Sequence, residues 1–408
     1  MPADIKAQTA AELGTQFRLW HQPAYRVPQL LRWLYSQRVT HWEAMTDLPK
    51  VLRDQLCNEY RFSSLELVRK QGAQDTTQKF LWRLADHTLI ESVLIPANPA
   101  LYGEASDRHT LCVSTQVGCA YGCKFCASGL NGWKRNLEVE EIVEQVLAVE
   151  RVSVRLKTAG GRHSSAVEAV DGSLGADDLQ MATGGARAGT RALTVRAETR
   201  LISNLVIMGM GEPLANYDHL LKALHILNAP WGGGIGARKM TISTSGLAPQ
   251  IRKLADEPPQ YRLAISLHGA TDPVRNRIMP INRKYPLAEL IAACDYYQQQ
   301  KGRVITFEYI LIAGVNDGLD QVKPLAALAR RLNAKVNLIH YNHVEGLAWD
   351  RPSEDAQESF LHALEGLKVA ATLRREKGHD IDAACGQLRL RTERELAAGA
   401  AGSAVDRR

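Results

Sequence analysis

The chain has 408 residues, 45% of them hydrophobic, and a formal net charge of +6. That is ordinary for a soluble protein with a real core, and no apolar run approaches the roughly 20 residues of a membrane helix. Met1–Phe17 lacks the apolar stretch of a secretory signal, so the expected setting is cytoplasmic with no membrane partner, and the mild positive charge permits a nucleic-acid partner without requiring one.

Residues 1–75 read as a small helical domain. Within Arg26–Arg38, Leu30, Leu31, Trp33 and Leu34 recur at helical spacing with basic residues between them. Asp47 is placed to cap a helix that begins at Pro49 and runs through Leu52 and Leu56. The module is either a helical domain with its own core or a basic surface for nucleic acid. Residues 76–105 read as a hairpin linker, with Phe80–Leu84 and Leu89–Ile95 flanking the turn Asp86-His87. Glu91 interrupts the second of these apolar strands. On a half-exposed strand such a carboxylate is expected to face water.

Residues 106–390 alternate strand and helix patterns. The expected strands are Thr110–Thr115, Leu205–Met208, Lys239–Ser243, Leu263–Leu267, Val304–Leu311 and Lys335–His340. The expected helices are Val139–Val152, Tyr217–Ala229, Pro249–Ala255, Leu287–Gln299, Leu319–Leu332 and Glu354–Val369. This alternation argues for a parallel sheet, and about six units suit an open, partial barrel with its site at the C-terminal strand ends. Residues 155–200, rich in Gly, Ala, Ser and Asp, read as a flexible insertion, and residues 391–408 as a disordered tail.

The seven cysteines are Cys57, Cys112, Cys119, Cys123, Cys126, Cys294 and Cys385, an odd and clustered set unlike a disulfide framework. Cys119, Cys123 and Cys126, spaced C-x3-C-x2-C, follow the first parallel strand. Thiolates that close together can ligate one centre, and an iron–sulfur cluster on three cysteines keeps one iron free of protein ligands. A structural zinc would need a fourth ligand, and neither His109 nor His163 has the paired spacing such sites favour. Cys57 and Cys294 read as inert, buried residues. The other strand ends carry Met208–Leu214, with Glu212 able to pair with an ammonium, then Ser243–Gly246, Ser266–Gly269, and Asn337 through Asn342. Together they describe a pocket for an amino-acid nucleoside such as S-adenosylmethionine.

The triplet Cys119-x3-Cys123-x2-Cys126, with Gly209–Leu214, Ser243–Gly246, Ile265–His268 and Asp380–Leu388, resembles the RlmN/Cfr family of radical S-adenosylmethionine RNA adenine methyltransferases. The likeness extends to Arg26–Tyr35 and Met45–Pro49. It implies an α/β fold, a partial (β/α)6 TIM-like radical SAM barrel with a small N-terminal helical, RNA-binding domain. Cys119, Cys123 and Cys126 would hold a [4Fe–4S] cluster. Gly211, Glu212, Ser243, Ser266, Leu267, His268 and Asn342 would bind S-adenosylmethionine, two molecules per turnover. The first would methylate Cys385. A radical from the second would take hydrogen from that methyl group, and the resulting carbon radical would add to C2 of adenine. Glu91 would accept the ring proton, and Cys112 would release the product and leave a Cys112–Cys385 disulfide. The implied substrates are 23S ribosomal RNA at the peptidyl-transferase centre and the adenine 3′ of the tRNA anticodon. The implied partners are an electron donor such as flavodoxin or ferredoxin and a thiol reductant, with the enzyme a monomer. The alternatives are C8 methylation as in the Cfr branch, a radical enzyme acting on a substrate other than RNA, and an RNA-binding protein with a structural metal. The stretch Ile339–His343 lacks the prolines that flank the aromatic–Asn pair in family members.

Overall fold

Residues 2–72, 77–97, 108–158, 200–374 and 386–405 are described by a computed structural model. Helix α1 (Ala10–Leu19) opens with a capping box: Glu12 N donates to Thr9 Oγ1 at 3.2 Å and Thr9 N to Glu12 Oε2 at 2.7 Å. Helix α2 (Arg26–Leu31) passes into a π-turn over Arg32–Ser36, so the expected helix is present but changes its winding after Leu31. Helix α3 (Lys50–Glu59) starts after Pro49 with no side-chain cap. Asp47, expected to cap it, stands two residues ahead of that position and instead accepts hydrogen bonds from the Trp33 indole and the Arg32 guanidinium. Cys57 is exposed rather than buried, because the inward stripe of α3 runs through Leu52 and Leu56.

Three cations of this region meet acidic residues of helix α4 (Val139–Thr158). Lys6 Nζ lies 2.6 Å from Glu144 Oε2, Arg38 lies 3.3 Å from Glu150, and Arg61 lies 3.2 Å from Glu140. The first two pairs are fully buried, and burial pulls the Lys6 ammonium below its ordinary value against the pull of Glu144. Separating Lys6 from Glu144 would leave its buried ammonium with the Ser63 carbonyl but without its counter-charge, so the contact fixes how the helical region sits on α4.

Strands β1 (Glu66–Gly72), β2 (Gln78–Arg83) and β3 (Leu89–Pro96) are antiparallel, and β3 pairs antiparallel with β4 (His109–Cys112). The β2–β3 hairpin thus joins the main sheet. Its turn is held by Asp86, which accepts from Thr88 N at 3.1 Å, with His87 at a φ of 64°. A separate ribbon, β5 (Gln116–Gly118) with β6 (Trp133–Asn136), brackets the cysteine loop. The parallel strands β7 (Asn204–Ile207), β8 (Met240–Thr244), β9 (Arg262–Ser266), β10 (Thr306–Leu311), β11 (Lys335–His340) and β12 (Ala371–Arg374) continue from β4. The resulting ten-stranded sheet runs β1-β2-β3-β4-β7-β8-β9-β10-β11-β12 and is open, with β1 and β12 at its edges. Helices α4, α5 (Tyr217–Asn228), α6 (Ala248–Asp256), α7 (Asp272–Ile278), α8 (Leu287–Lys301), α9 (Val322–Arg331) and α10 (Glu354–Gly366) connect the parallel strands.

Six strand–helix units bear out the α/β partial-barrel reading. The sequence pattern misses β12, a short seventh parallel strand, and α7, whose seven residues are too few to display a helical period. Helix α4 runs to Thr158, into the expected insertion; residues 159–199 of that insertion lie outside the described residues. The tail is helical instead of disordered through Val405, as α11 (Gln387–Val405). Arg389 pairs with Glu393 and Arg391 with Glu395 at i,i+4, alanines follow, and Arg69 of β1 reaches Glu395 at 2.7 Å.

Strand register sorts the site from the core. Because Lys79 opposes Val93, Val93 opposes Cys112 and Cys112 aligns with Val206, the side chains of Lys79, Glu91 and Cys112 share one face of the sheet. Register carries the same face through Ser243, Ser266, Glu308, Ile310, Ile339 and Arg374.

Candidate active site

At the C-terminal ends of β7 to β11 lies a cavity of about 350 Å³. Cys119, Cys123, Cys126, Gly211, Glu212, Ser243, Ser266, His268 and Asn342 all line it. Of the residues expected to hold the cluster or S-adenosylmethionine, Leu267 alone does not. Its side chain is buried in the core, and its carbonyl accepts from the Arg275 guanidinium at 2.9 Å, so it can offer a ligand only its backbone.

The cysteine loop is held by backbone. Gly118, at φ 80°, sits so close to the opposite strand that a Cβ would fall 1.9 Å from Gly132 O. Only glycine fits there. Lys124 N donates to Ile278 O at 2.9 Å, and Cys126 N to Cys123 O at 3.1 Å. Burial pushes the Cys119 thiol up to about 11 and the Cys123 thiol well above its usual value, and the neighbouring thiols push both further. Groups raised in this way become thiolates beside a strongly positive centre. Among the described residues no three His, Cys, Asp or Glu side chains are placed to hold a single metal ion. The donor set, three thiols on one pocket wall, fits a cluster that keeps one iron free of protein ligands.

Opposite the thiols, Glu212 is 3% exposed and accepts from Ser245 N at 2.7 Å and Leu214 N at 3.1 Å. Burial raises its carboxyl, and these N–H donors work against that rise. A ligand ammonium would hold it ionised. Gly211 brings the backbone in at φ 101°, where a Cβ would meet Gln116 Cβ at 2.6 Å. Asn342 Oδ1 is buried with no protein partner, an acceptor left for a ligand donor. These features suit S-adenosylmethionine.

His268 occupies the left-handed region at φ 52° and meets Phe125 of the cysteine loop edge-on, ring centres 4.9 Å apart. Its Nδ1 accepts from Ile310 N at 3.0 Å, which leaves the Nε2 proton for the pocket. Burial, aided by Arg275, lowers its pKa from 6.5 to about 3. The folded value lies below the unfolded one, so this contribution to stability is complete above pH 6.5 and is lost as pH falls toward 3. In denaturant titrations, His268→Gln should flatten the pH slope of stability in that window by up to about 1.4 kcal/mol per pH unit. An unchanged slope would mean that the ring is not held neutral.

Glu91 is 3% exposed, not the surface carboxylate expected on a half-exposed strand. It is covered by α11: Gly386 N donates to Oε2 at 2.8 Å and Arg389 N to Oε1 at 2.7 Å. Lys79 Nζ lies 2.9 Å from Oε2. Gly386, at φ 87°, also packs on the turn after Cys126, where a Cβ would lie 2.9 Å from Ser128 N. Cys385 itself lies outside the described residues; its sequence neighbour touches both Glu91 and the cysteine loop. Cys112 is buried on β4, on the Glu91 face.

Four residues of this region are not singled out by the sequence reading. Arg275, on α7, is fully buried. It donates to Leu267 O at 2.9 Å, Ser266 O at 3.2 Å and Asn282 Oδ1 at 2.9 Å, and also to Ser245 O, tying the ends of β8 and β9. Glu308 faces the cavity and accepts from Asn337 Nδ2 at 2.6 Å, and Arg374 lies on the cavity edge. The fourth is Lys79. A charge inside an apolar strand or a short helix was the available clue in each case.

Comparison with known proteins agrees with this site. Residues 4–61 match the ribosomal RNA large subunit methyltransferase N-terminal domain, and residues 191–325 the radical SAM superfamily. The chain is 49% identical to a probable dual-specificity RNA methyltransferase RlmN 3 of Opitutus terrae, over 96% of this chain and 95% of that one. It is 42% identical to a dual-specificity RNA methyltransferase RlmN of Anaeromyxobacter dehalogenans, over 95% and 90%. A crystal structure of a radical SAM methyltransferase from Sphaerobacter thermophilus is 39% identical and superposes with a TM-score of 0.78, covering 95% of this chain and 99% of that one.

Proposed function

The chain belongs to the RlmN family of radical S-adenosylmethionine RNA methyltransferases, and we propose that it methylates C2 of adenine in 23S ribosomal RNA and in tRNA, 3′ of the anticodon. The supporting observation is the meeting of Gly386 with both Glu91 and the cysteine loop. It is the arrangement a methyl relay through Cys385 requires.

Cys119, Cys123 and Cys126 would hold the [4Fe–4S] cluster, and Gly211, Glu212, Ser243, Ser266, His268 and Asn342, with the Leu267 backbone, would hold S-adenosylmethionine. When bound, these supply the methyl group and the one-electron chemistry, with two S-adenosylmethionine molecules used per turnover. The residues do the rest. Cys385 accepts the methyl group by displacement and carries it to the ring. Glu91 accepts the C2 proton. Rearomatisation releases one electron to the bound one-electron centre; the Cys112 thiolate then attacks the Cys385 sulfur: the S–S bond forms, the S–CH2 bond breaks, and its electron pair, with a proton from solvent, completes the methyl group on the product. A thiol reductant resets the disulfide, and a flavodoxin- or ferredoxin-like donor reduces the cluster, both suited to cytoplasm. The helical region would grip RNA by backbone and shape.

Anaerobic incubation of the reconstituted enzyme with S-adenosylmethionine, reductant and an RNA fragment should yield 5′-deoxyadenosine together with 2-methyladenosine after digestion. Formation of 8-methyladenosine instead would move the protein to the other regiochemistry. No methylated adenine in either RNA would remove the reading.

A further inference from the structure

Lys79 belongs to none of the roles above, yet it is a fully buried cation, with its side chain 1% exposed. It and Glu91 are diagonal neighbours on the antiparallel pair β2–β3, since Lys79 opposes Val93. The same face carries Leu81 and Leu89, which bury Leu388 from the first turn of α11. Glu91 therefore works as a cap supplied from another element: its two oxygens take the N–H groups of Gly386 and Arg389, which a helix start leaves unpaired.

A buried ion pair adds little stability over apolar residues of the same size, whereas losing one partner leaves the other charge stranded. Net stability is thus a poor reason for this pair to be here. Orientation is a better one. Without the ammonium, a buried carboxylate has only the helix N–H groups to hold it, and it can swing or draw in water. We propose that Lys79 is a positioning residue of the methyl relay: it pins Glu91 so that the carboxylate holds the first turn of α11, and Gly386 with it, against the cysteine loop. The inference rests on the methyl-relay reading for its catalytic half only; the clamp itself is a statement about α11.

Two readouts on the full-length holoenzyme test it. In Lys79→Met, exchange of the Gly386 and Arg389 amides should accelerate more than about tenfold, with the amides of β10 and β11 unaffected. The yield of methyladenosine per 5′-deoxyadenosine should fall by about 10- to 100-fold, because the cofactor is still cleaved but the methyl carrier is misplaced. In Lys79→Met/Glu91→Gln, which keeps one of the two acceptor oxygens and removes both charges, protection of one of the two amides should return while methylation stays low. Unchanged exchange in Lys79→Met would overturn the clamp. Faster exchange with an unchanged product ratio would overturn the positioning role. A wild-type enzyme that makes no methyladenosine would instead count against the proposed function, and the exchange result would still decide the clamp.

Discussion

Cys385→Ala should form no methylated RNA, a loss of more than about 10⁴-fold, with iron content and melting behaviour at wild-type levels. Alanine has no atom that can take a methyl group by displacement and later surrender it. The substitution leaves Gly386 itself unchanged, so its contacts with Glu91 and Ser128 are expected to survive. Cys112→Ala should fail differently. It is buried on β4, outside the cysteine triplet, and its role comes after the ring has been alkylated, so methyl transfer to the ring proceeds and release does not. A covalent protein–RNA species should accumulate and run as a retarded band on a denaturing gel. The pair separates methyl-carrier chemistry from every rival in which the cluster acts directly on substrate: such an enzyme keeps full turnover in Cys385→Ala and forms no adduct in Cys112→Ala.

The features legible in the sequence were those written in short stretches. β11 spans Lys335–His340, as its apolar run predicts, and the other five expected strands fall within a few residues of place. The triplet Cys119, Cys123, Cys126 and the glycine at 211 announce themselves because spacing and backbone freedom are local properties. What stayed hidden depends on partners far away in sequence. Glu91 reads as a surface carboxylate until α11, almost 300 residues later, covers it. Lys79 is paired with Glu91 across the β2–β3 hairpin, a contact its own neighbours in sequence do not announce. Asp47 looks like a helix cap until Trp33 and Arg32 claim its carboxylate. Propensity and periodicity describe the chain near each residue, and a buried charge is defined by what folds over it. The α11 helix was missed for a related reason: its N-terminal turn is capped by a strand residue rather than by its own sequence.

Arg275→Met should destabilise the protein by about 3–5 kcal/mol in denaturant titrations, and Arg275→Lys should recover less than half of that. The guanidinium satisfies the carbonyls of Ser245, Ser266 and Leu267 and the side chain of Asn282 at once. Those carbonyls lie where β8 and β9 end, so their positions set where Ser243 and Ser266 face the cavity. The surroundings are cut to this side chain. A Cβ on Gly246 would lie 2.9 Å from Arg275 Nη2, and one on Gly269 would lie 2.9 Å from the Arg275 backbone. Burial lowers the guanidinium to about 10, so it remains a cation at neutral pH. Methionine fills the volume but strands buried carbonyls, each costing about 1–3 kcal/mol before relaxation. Lysine restores the charge as a single point and cannot reach acceptors on two strands and a helix together. The strand ends should then drift, and S-adenosylmethionine affinity should weaken by about tenfold or more in both variants, measured by equilibrium binding to the anaerobic holoenzyme. Wild-type affinity in a destabilised Arg275→Met would separate the fold's need for this residue from the site's, and would show that the strand ends are held by the sheet alone.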